Sequence, residues 1–310
     1  MCVPEGSAMT AKSSATAPIA GADPEAELWD RPHIRYLAIA YVWSWALWIG
    51  AWLLTEALEA GDVLFNQDFV WRVLFDGDVP SDLLLVSLIA LIAALGPMVA
   101  GVLMSRRDPV IPAGDLGRRI RRFDVAPQFW LTALVVLAIV VAPPLLISVL
   151  AMDVAADAPS SGSLVAFLGV FFLVQLLTSG TEEIGWRGYL LHKMLPGRNF
   201  WDAGWSVGWV WAAWHLPSLL YIFIQQGLAP AAIIGSTAGF AMGIVAMSIF
   251  HAWFYEQTES VFFNVVLHAA FNVAPLTIVL LYPDSPAAVL ANLLLWAVVF
   301  FLRRREGING

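Results

Sequence analysis

Two adjacent glutamates and an arginine interrupt an otherwise apolar stretch of this sequence. Glu182 and Glu183 are followed by Arg187. On a helix Glu183 and Arg187 are i,i+4 neighbours, whereas Glu182 lies about 100° round the axis from Glu183. Arg187 can hold one carboxylate in a bidentate pair, which leaves the other acid free for chemistry. A purely structural ion pair needs only one acid, so the second acid favours a functional site.

Three more polar residues stand in apolar surroundings further along the chain. His215 follows Trp211 by four positions and precedes Pro217, which predicts a bend and a freed backbone carbonyl. His268 and Asn272 are i,i+4 neighbours separated by small alanines, which permit close helix approach. Taken singly, each of these residues is explained as well by interhelical hydrogen bonding as by catalysis.

Taken together, these residues indicate a hydrolytic site. A carboxylate and an imidazole, Glu182 and His215, can activate one water by general-base catalysis. His268 and Asn272 offer N–H donors for a developing oxyanion. Alternatively, Glu182, His215 and His268 can ligate Zn²⁺ or another divalent metal in an open hydrolytic site. The residues themselves leave the metal-dependent and the metal-free glutamate mechanism open.

The elements that carry these residues are predicted to be membrane helices. The 310 residues are 60% hydrophobic and 13% charged, with a mean hydropathy of +0.75, against about 45–50% and about 25% in soluble domains. Ionisable groups at membrane depth cost roughly 2.5–3.5 kcal/mol each, so those present are functional candidates. This composition argues against a nucleic-acid partner. Cys2 is the single cysteine, which excludes internal disulfides and thiolate metal sites.

Eight segments are apolar over roughly the 20 residues that a spanning helix needs. They are Tyr36–Leu54, Leu83–Met104, Phe129–Ala151, Leu164–Leu195, Trp201–Ile224, Ala231–Phe254, Val261–Leu281 and Ala287–Leu302. The fourth is too long for one crossing, and we expect either a long tilted helix or a break near Ser179-Gly180. The predicted fold class is therefore an all-α, polytopic membrane bundle of about eight helices, located in the plasma membrane.

The distribution of basic residues predicts the orientation of the bundle. With eight spans, one face carries the basic residues Arg31, Arg35, Arg106, Arg107, Arg118, Arg119, Arg121, Arg122, Lys193, Arg198 and Arg303–Arg305. We therefore expect both termini to be cytoplasmic. Residues 1–32 are predicted to be a disordered cytoplasmic tail, 33–302 the transmembrane domain with its functional core at about 164–283, and 303–310 a basic cytoplasmic tail.

The three motifs resemble those of the CPBP family, the membrane-embedded CAAX prenyl endopeptidases and bacteriocin-processing proteins also called the Abi family. That family shows Glu-Glu-x-x-x-Arg, aromatic-x-x-x-His and His-x-x-x-Asn on successive transmembrane helices. Here the motifs stand as Glu182-Glu183-x-x-x-Arg187, Trp211-x-x-x-His215 and His268-x-x-x-Asn272. The second motif departs from the family, which usually has Phe at its first position. We expect this departure to affect packing more than chemistry.

The resemblance implies a role for each motif residue in peptide-bond hydrolysis. Glu182 would activate water with His215 as its partner, and His268 and Asn272 would stabilise the tetrahedral intermediate. Arg187 would orient the acid pair through Glu183, and Trp211 would support the site. The implied substrate is a peptide or protein tail that enters from the bilayer.

Three functions other than proteolysis also fit this sequence. A proton-coupled transporter, a bacteriocin-immunity scaffold or a signalling protein with a decayed site also accommodates buried Glu and His residues. Paired halves with matching helix breaks, frequent in transporters, are not evident in this sequence. His251, Asn264 and Gln175 are interpreted as packing and interhelical hydrogen-bonding residues rather than catalysts.

Overall fold

A computed structural model describes residues 31–59, 70–77, 79–155, 158–283, 285 and 288–308 of the chain. Over these residues the protein is helical and contains no strand, which confirms the predicted all-α class. The predicted tail 1–32 lies outside the described residues except for Arg31 and Pro32, which begin the first helix. The basic residues Arg303–Arg305, predicted in a tail, form the last turn of the final helix.

Fourteen α-helices are numbered here in chain order over the described ranges. They are α1 Arg31–Leu58, α2 Ser81–Ala93, α3 Gly96–Ser105, α4 Asp115–Ile120, α5 Pro127–Ala151, α6 Ser161–Leu177, α7 Glu182–Gly185, α8 His192–Met194, α9 Phe200–Trp214, α10 Leu216–Gln225, α11 Pro230–Thr258, α12 Val261–Val273, α13 Leu276–Leu281 and α14 Ala288–Arg305. A π-helical turn at Trp186–Leu191 joins α7 to α8.

Five helical stretches in the described part of the chain are long and apolar enough to cross a membrane, and seven qualify if each bent pair is one span. The bent pairs are α2 with α3, at 40°, and α9 with α10, at 47°. The eighth predicted segment forms α14, whose last turn holds three arginines. The number of eight crossings therefore stays a prediction, as does the cytoplasmic placement of the termini.

Some contacts join residues at the ends of different helices. The eight-span prediction places the residues of each such contact on the same face of the bundle. On the basic face, Arg122 pairs with Glu259 at 2.7 Å, and the Ser260 hydroxyl donates to the carbonyl of Arg122. On the opposite face, the Ala155 N–H donates to the carbonyl of Leu281 at 3.0 Å. These contacts show which loop ends lie side by side, and the parity of the spans stays a prediction.

Glycines set the closest helix approach beside the acid pair. A Cβ on Gly185 in α7 would overlap the carbonyl oxygen of Pro97 in α3 and lie 2.6 Å from the Tyr36 hydroxyl. A Cβ on Gly101, one turn further along α3, would lie 2.9 Å from Cα of Gly185. Small residues let membrane helices pack backbone to backbone. The absence of a side chain at Gly185 therefore allows the acidic segment to pack directly against the backbone of α3.

Candidate active site

The span that carries the acid pair is broken where the sequence allows a break. Helix α6 ends at Leu177, and Thr178 leaves the helical region with φ −107° and ψ −97°. A single 3₁₀ turn at Ser179–Thr181 then leads into α7. The predicted break near Ser179-Gly180 is therefore present. After this break α7 begins, and its first two residues, Glu182 and Glu183, are both buried, at 3% and 0% exposed.

Glu183 is the acid that the surrounding protein holds in place. Its Oε1 accepts from Nη1 of Arg187 at 2.9 Å and lies 2.8 Å from Nδ1 of His268. The guanidinium carbon of Arg187 lies 4.6 Å from the ring centre of Trp211, in cation–π range. Since a carboxylate only accepts, Nδ1 of His268 must carry the proton of this bond. Glu183 thereby selects the tautomer of His268.

Glu182 faces a different environment from its neighbour. Its Oε2 accepts from the indole N–H of Trp211 at 2.8 Å and, more weakly, from that of Trp186 at 3.4 Å. Both donors are neutral, so Glu182 has no hydrogen-bonded cation of the kind that Arg187 provides for Glu183. Arg187 and His268 therefore hold Glu183 in place, whereas Glu182 borders the cavity described below.

His215 lies at the bend between α9 and α10. The 47° bend falls at His215, and Pro217 stands in the first turn of α10, as the sequence predicts. Nδ1 of His215 lies 2.9 Å from the carbonyl oxygen of Trp211 and must donate to it. The lone pair of His215 is therefore on Nε2, the nitrogen on the far side of the ring.

His268 and Asn272 occupy one face of α12, a turn apart. The amide Nδ2 of Asn272 donates to Oε1 of Gln175 at 2.9 Å, which fixes the orientation of the amide. One N–H of Asn272 is then left over, because a carboxamide nitrogen carries two. The rings of His268 and Trp211 meet edge to face, with centroids 5.2 Å apart.

One cavity of about 310 Å³ brings the four candidate residues together. Glu182, His215, His268 and Asn272 all line it. Apolar and aromatic side chains complete its walls, among them Trp48, Leu91, Phe171, Leu219, Phe240 and Ile244. The cavity is large enough for several waters, because one water occupies about 30 Å³. An acid, two imidazoles and an amide around one cavity form an arrangement suited to hydrolysis.

The predicted metal ligands Glu182, His215 and His268 are not grouped as a metal site in the described ranges. Within the described ranges, no three His, Cys, Asp or Glu side chains lie close enough to share a metal ion. Nδ1 of His215 and of His268 are engaged with a carbonyl and with Glu183, which leaves Nε2 of each ring as the nitrogen that could bind a metal. The Glu182, His215 and His268 ligand set therefore stays a prediction.

Several residues of the site escape sequence reasoning. The indole N–H groups of Trp186 and Trp211 reach Glu182, although indoles in apolar helices give no sign of a polar partner. His251, interpreted as a packing residue, lies 3.6 Å from Glu183, whereas Asn264 makes the kind of interhelical hydrogen bond predicted for it, with His251. One signal was available for Asn264, since Ser260, Asn264, His268 and Asn272 recur every four residues and so share one face of a helix.

Comparison with known proteins covers the segment that carries the four candidate residues. Residues 163–274 match the family described as type II CAAX prenyl endopeptidase Rce1-like. Over 108 residues the chain is 27% identical to a protein named CAAX prenyl protease 2 from Methanococcus maripaludis. That match covers 34% of this chain and 40% of the relative. The resemblance indicated by the three motifs is confirmed over this segment.

Proposed function

Since residues 163–274 form a domain of the CPBP family of CAAX prenyl endopeptidases, we propose that this protein is an intramembrane endopeptidase of the plasma membrane. Its substrate is a peptide or the tail of a membrane protein, of the CAAX type, which enters the cavity from the bilayer. One observation carries the proposal: Glu182, His215, His268 and Asn272, from three separate membrane segments, border the same cavity.

Glu182 acts in this proposal as the general base. Its two hydrogen-bond donors both engage Oε2, which leaves Oε1 to take a proton from a water in the cavity. The resulting hydroxide attacks the carbonyl carbon of the scissile peptide bond. The lone pair on Nε2 of His215 accepts a hydrogen bond from the same water and orients it. A positioned general base contributes about 10²–10⁴-fold to the rate.

His268 and Asn272 stabilise the oxyanion of the tetrahedral intermediate. Asn272 donates the N–H that Gln175 does not use. His268 can donate through Nε2 only while both of its ring nitrogens carry a hydrogen, with Glu183 as the counter-charge on Nδ1. Donors aimed at a developing oxyanion are each worth about 10²–10³-fold in kcat.

The intermediate collapses by cleavage of the carbon–nitrogen bond. Glu182 passes the proton taken from water to the leaving nitrogen, which departs as an amine. The carbonyl carbon keeps the water oxygen and becomes a carboxylic acid. The chain's own residues thus account for every proton in the reaction, and we propose the metal-free glutamate mechanism.

The test is cleavage by the purified protein in liposomes. The probes are a quenched fluorescent peptide ending in farnesyl-cysteine and three further residues, and the same peptide without the farnesyl group. Mass spectrometry identifies the bond that is cut. We expect cleavage after the cysteine and a loss on the order of 10²–10⁴-fold in Glu182→Gln, with activity retained after dialysis against EDTA.

The matched control is Ser248→Ala. Ser248 is a buried residue of α11 whose hydroxyl makes no hydrogen bond in the described part of the chain. Cleavage that survives Glu182→Gln unchanged would overturn the proposed mechanism. The absence of cleavage of both peptides, together with proton flux through the same liposomes, would instead favour the transporter alternative. Comparison of the two peptides decides whether the prenyl group is recognised.

A further inference from the structure

A second pair of polar side chains lies beside Glu183, and one of them, His251, meets the ring of His268 edge to face with the centroids 5.9 Å apart. His251 in α11 and Asn264 in α12 are both fully buried. They face each other across the two helices, with Nδ1 of His251 3.0 Å from Oδ1 of Asn264. The mechanism proposed above uses neither residue. A buried histidine and asparagine are costly in an apolar bundle, so their contacts require a reason.

The hydrogen bonds determine which nitrogen of His251 carries the proton. Nδ2 of Asn264 donates to the backbone carbonyl of Ser260 at 2.9 Å, which fixes the orientation of the amide. The oxygen Oδ1 of Asn264 is then the atom turned toward His251. An amide oxygen accepts, so Nδ1 of His251 must carry a hydrogen and donate it. Asn264 thereby holds the His251 ring with its Nδ1–H edge in a defined direction.

That same edge faces Glu183. Nδ1 of His251 lies 3.6 Å from Oε2 of Glu183. Arg187 and His268 both engage the other oxygen, Oε1, and Oε2 has no hydrogen bond within the described residues. The N–H dipole of His251 is therefore the polar group placed against Oε2. A buried carboxylate oxygen without such a group would bear its full desolvation cost.

We propose that His251 is a positioning residue for His268, acting through Glu183. The Nδ1–H of His251 is donated to Asn264, and its positive end, 3.6 Å from Oε2, favours electrostatically the rotation of the Glu183 carboxylate at which Oε1 meets Nδ1 of His268. Without that N–H the carboxylate turns about its last bond, and His268 loses its fixed direction toward the cavity. This inference rests on the proposed function, because it assigns His251 to the step in which His268 acts.

Two substitutions of His251 separate this role from packing. His251→Phe keeps a ring of similar size and removes the N–H. His251→Asn loses the ring but keeps an amide N–H near the position of Nδ1. Positioning predicts a fall in kcat of about tenfold to a hundredfold in the Phe variant, with KM within about twofold, and a smaller fall in the Asn variant. A packing role predicts the reverse order, which would overturn the proposal.

Coupling to His268 provides the second criterion. In a His268→Ala background, His251→Phe has no remaining target and is expected to lower kcat by less than about twofold. Multiplication of the two losses in the double variant would contradict the proposal. Asn264→Ala is expected to act in the same direction as His251→Phe. Ser248→Ala, one turn earlier on α11, is the control with no expected change in kcat.

A readout independent of cleavage keeps this inference separate from the proposed function. The chain has five histidines, so ¹⁵N-imidazole NMR in detergent can resolve each ring. We expect His251 and His268 to be protonated on Nδ1 in the resting protein. Asn264→Ala, which keeps the His251 ring beside His268 and removes only its alignment, should shift the His268 signals, and Ser248→Ala should not. If the peptides are not cleaved but the His268 signals shift, the protease assignment fails and the positioning survives; unchanged signals would overturn the positioning.

Discussion

The indole N–H of Trp211 donates a 2.8 Å hydrogen bond to Oε2 of Glu182, joining α9 to the acidic segment. Phenylalanine, the usual residue at this position in the family that the motifs resemble, has no such donor. The expectation that this departure affects packing more than chemistry stays a prediction, and the hydrogen bond to Glu182 is an observation against it. Trp211 also contacts His268 with its ring and His215 with its carbonyl oxygen. One residue thus links three of the proposed catalytic groups.

Trp211→Phe tests the importance of that hydrogen bond. The substitution keeps the aromatic ring and removes the strong donor to Glu182, leaving only the weak one from Trp186 at 3.4 Å. We expect kcat to fall on the order of tenfold, since a hydrogen bond to a charged group contributes about 1.5–3 kcal/mol. The measurement is steady-state cleavage of the farnesylated peptide.

Trp214→Phe is the comparison for this variant. Trp214 is one turn further along α9, equally buried, and its indole N–H has no acceptor among the described residues. It therefore loses similar volume without losing a hydrogen bond. An equal fall in kcat for the two variants would show that ring volume, and not the bond to Glu182, is responsible.

Gly185→Ala should destabilise the whole bundle. The added methyl group would overlap the carbonyl oxygen of Pro97, a backbone atom that can move only if α3 moves. Overpacking typically costs about 1–3 kcal/mol and more where the backbone must shift. Thermal unfolding in detergent measures the loss. Gly169→Ala in α6, where a Cβ meets nothing within 4 Å, should leave the melting temperature unchanged or higher.

Arg119 in α4 anchors the basic loop to the membrane helices. Its side chain is 5% exposed and pairs with Asp115 at 2.7 Å. Its Nη1 donates to the carbonyl of Gly188 at 2.7 Å and to the hydroxyl of Tyr255. Arg119→Met should lower the free energy of unfolding by about 3 kcal/mol, because it leaves buried polar partners unpaired.

Limited proteolysis of the loop 106–126 and thermal unfolding both report on that anchor. We expect faster cutting of this loop in Arg119→Met than in the unmodified protein. The control is Arg118→Met, which removes an exposed pair with the same Asp115 and should cost about 0–1 kcal/mol. Equal effects of the two substitutions would contradict the anchoring role.

Asp108, in the loop after α3, should contribute pH-dependent stability. Burial by itself raises the pKa of this carboxyl, but hydrogen bonds from the Val110 N–H, Lys193 and Tyr189 outweigh it and bring the pKa below the usual aspartate value. A group with a lowered folded-state pKa stabilises the protein above its unfolded pKa, about 3.9. This stabilisation is lost as the pH falls through the folded-state pKa.

The melting temperatures of the unmodified protein and of Asp108→Asn, recorded from pH 7 to pH 2, test this contribution. At neutral pH the unmodified protein should melt higher, since Lys193 lies 3.0 Å from Oδ2 of Asp108. The difference should shrink below about pH 4, where the carboxyl begins to take up its proton. A difference that stays constant over the whole range would exclude ionisation of Asp108 as its cause.

Local features of the site could be predicted from the sequence because they depend on helical spacing alone. The i,i+4 contact of Glu183 with Arg187 and the bend before Pro217 follow from the geometry of one helix. The break near Ser179-Gly180 follows from excess length. The role of Trp211 and the contacts of His251 could not be predicted in this way, because each joins residues on different helices.

The amino-acid sequence by itself indicated that this protein lies in lipid. It also indicated the approximate limits of the helices and the polar residues within them. Hydropathy and helical spacing are local properties, so they can be read along the chain. The tertiary structure alone decided that Trp211 donates to Glu182 and that His251 lies beside Glu183. The physical reason is that lipid and bundle interior are both apolar. A hydrophobic helix therefore carries little sign of which face turns inward, and only packing against its neighbours settles it.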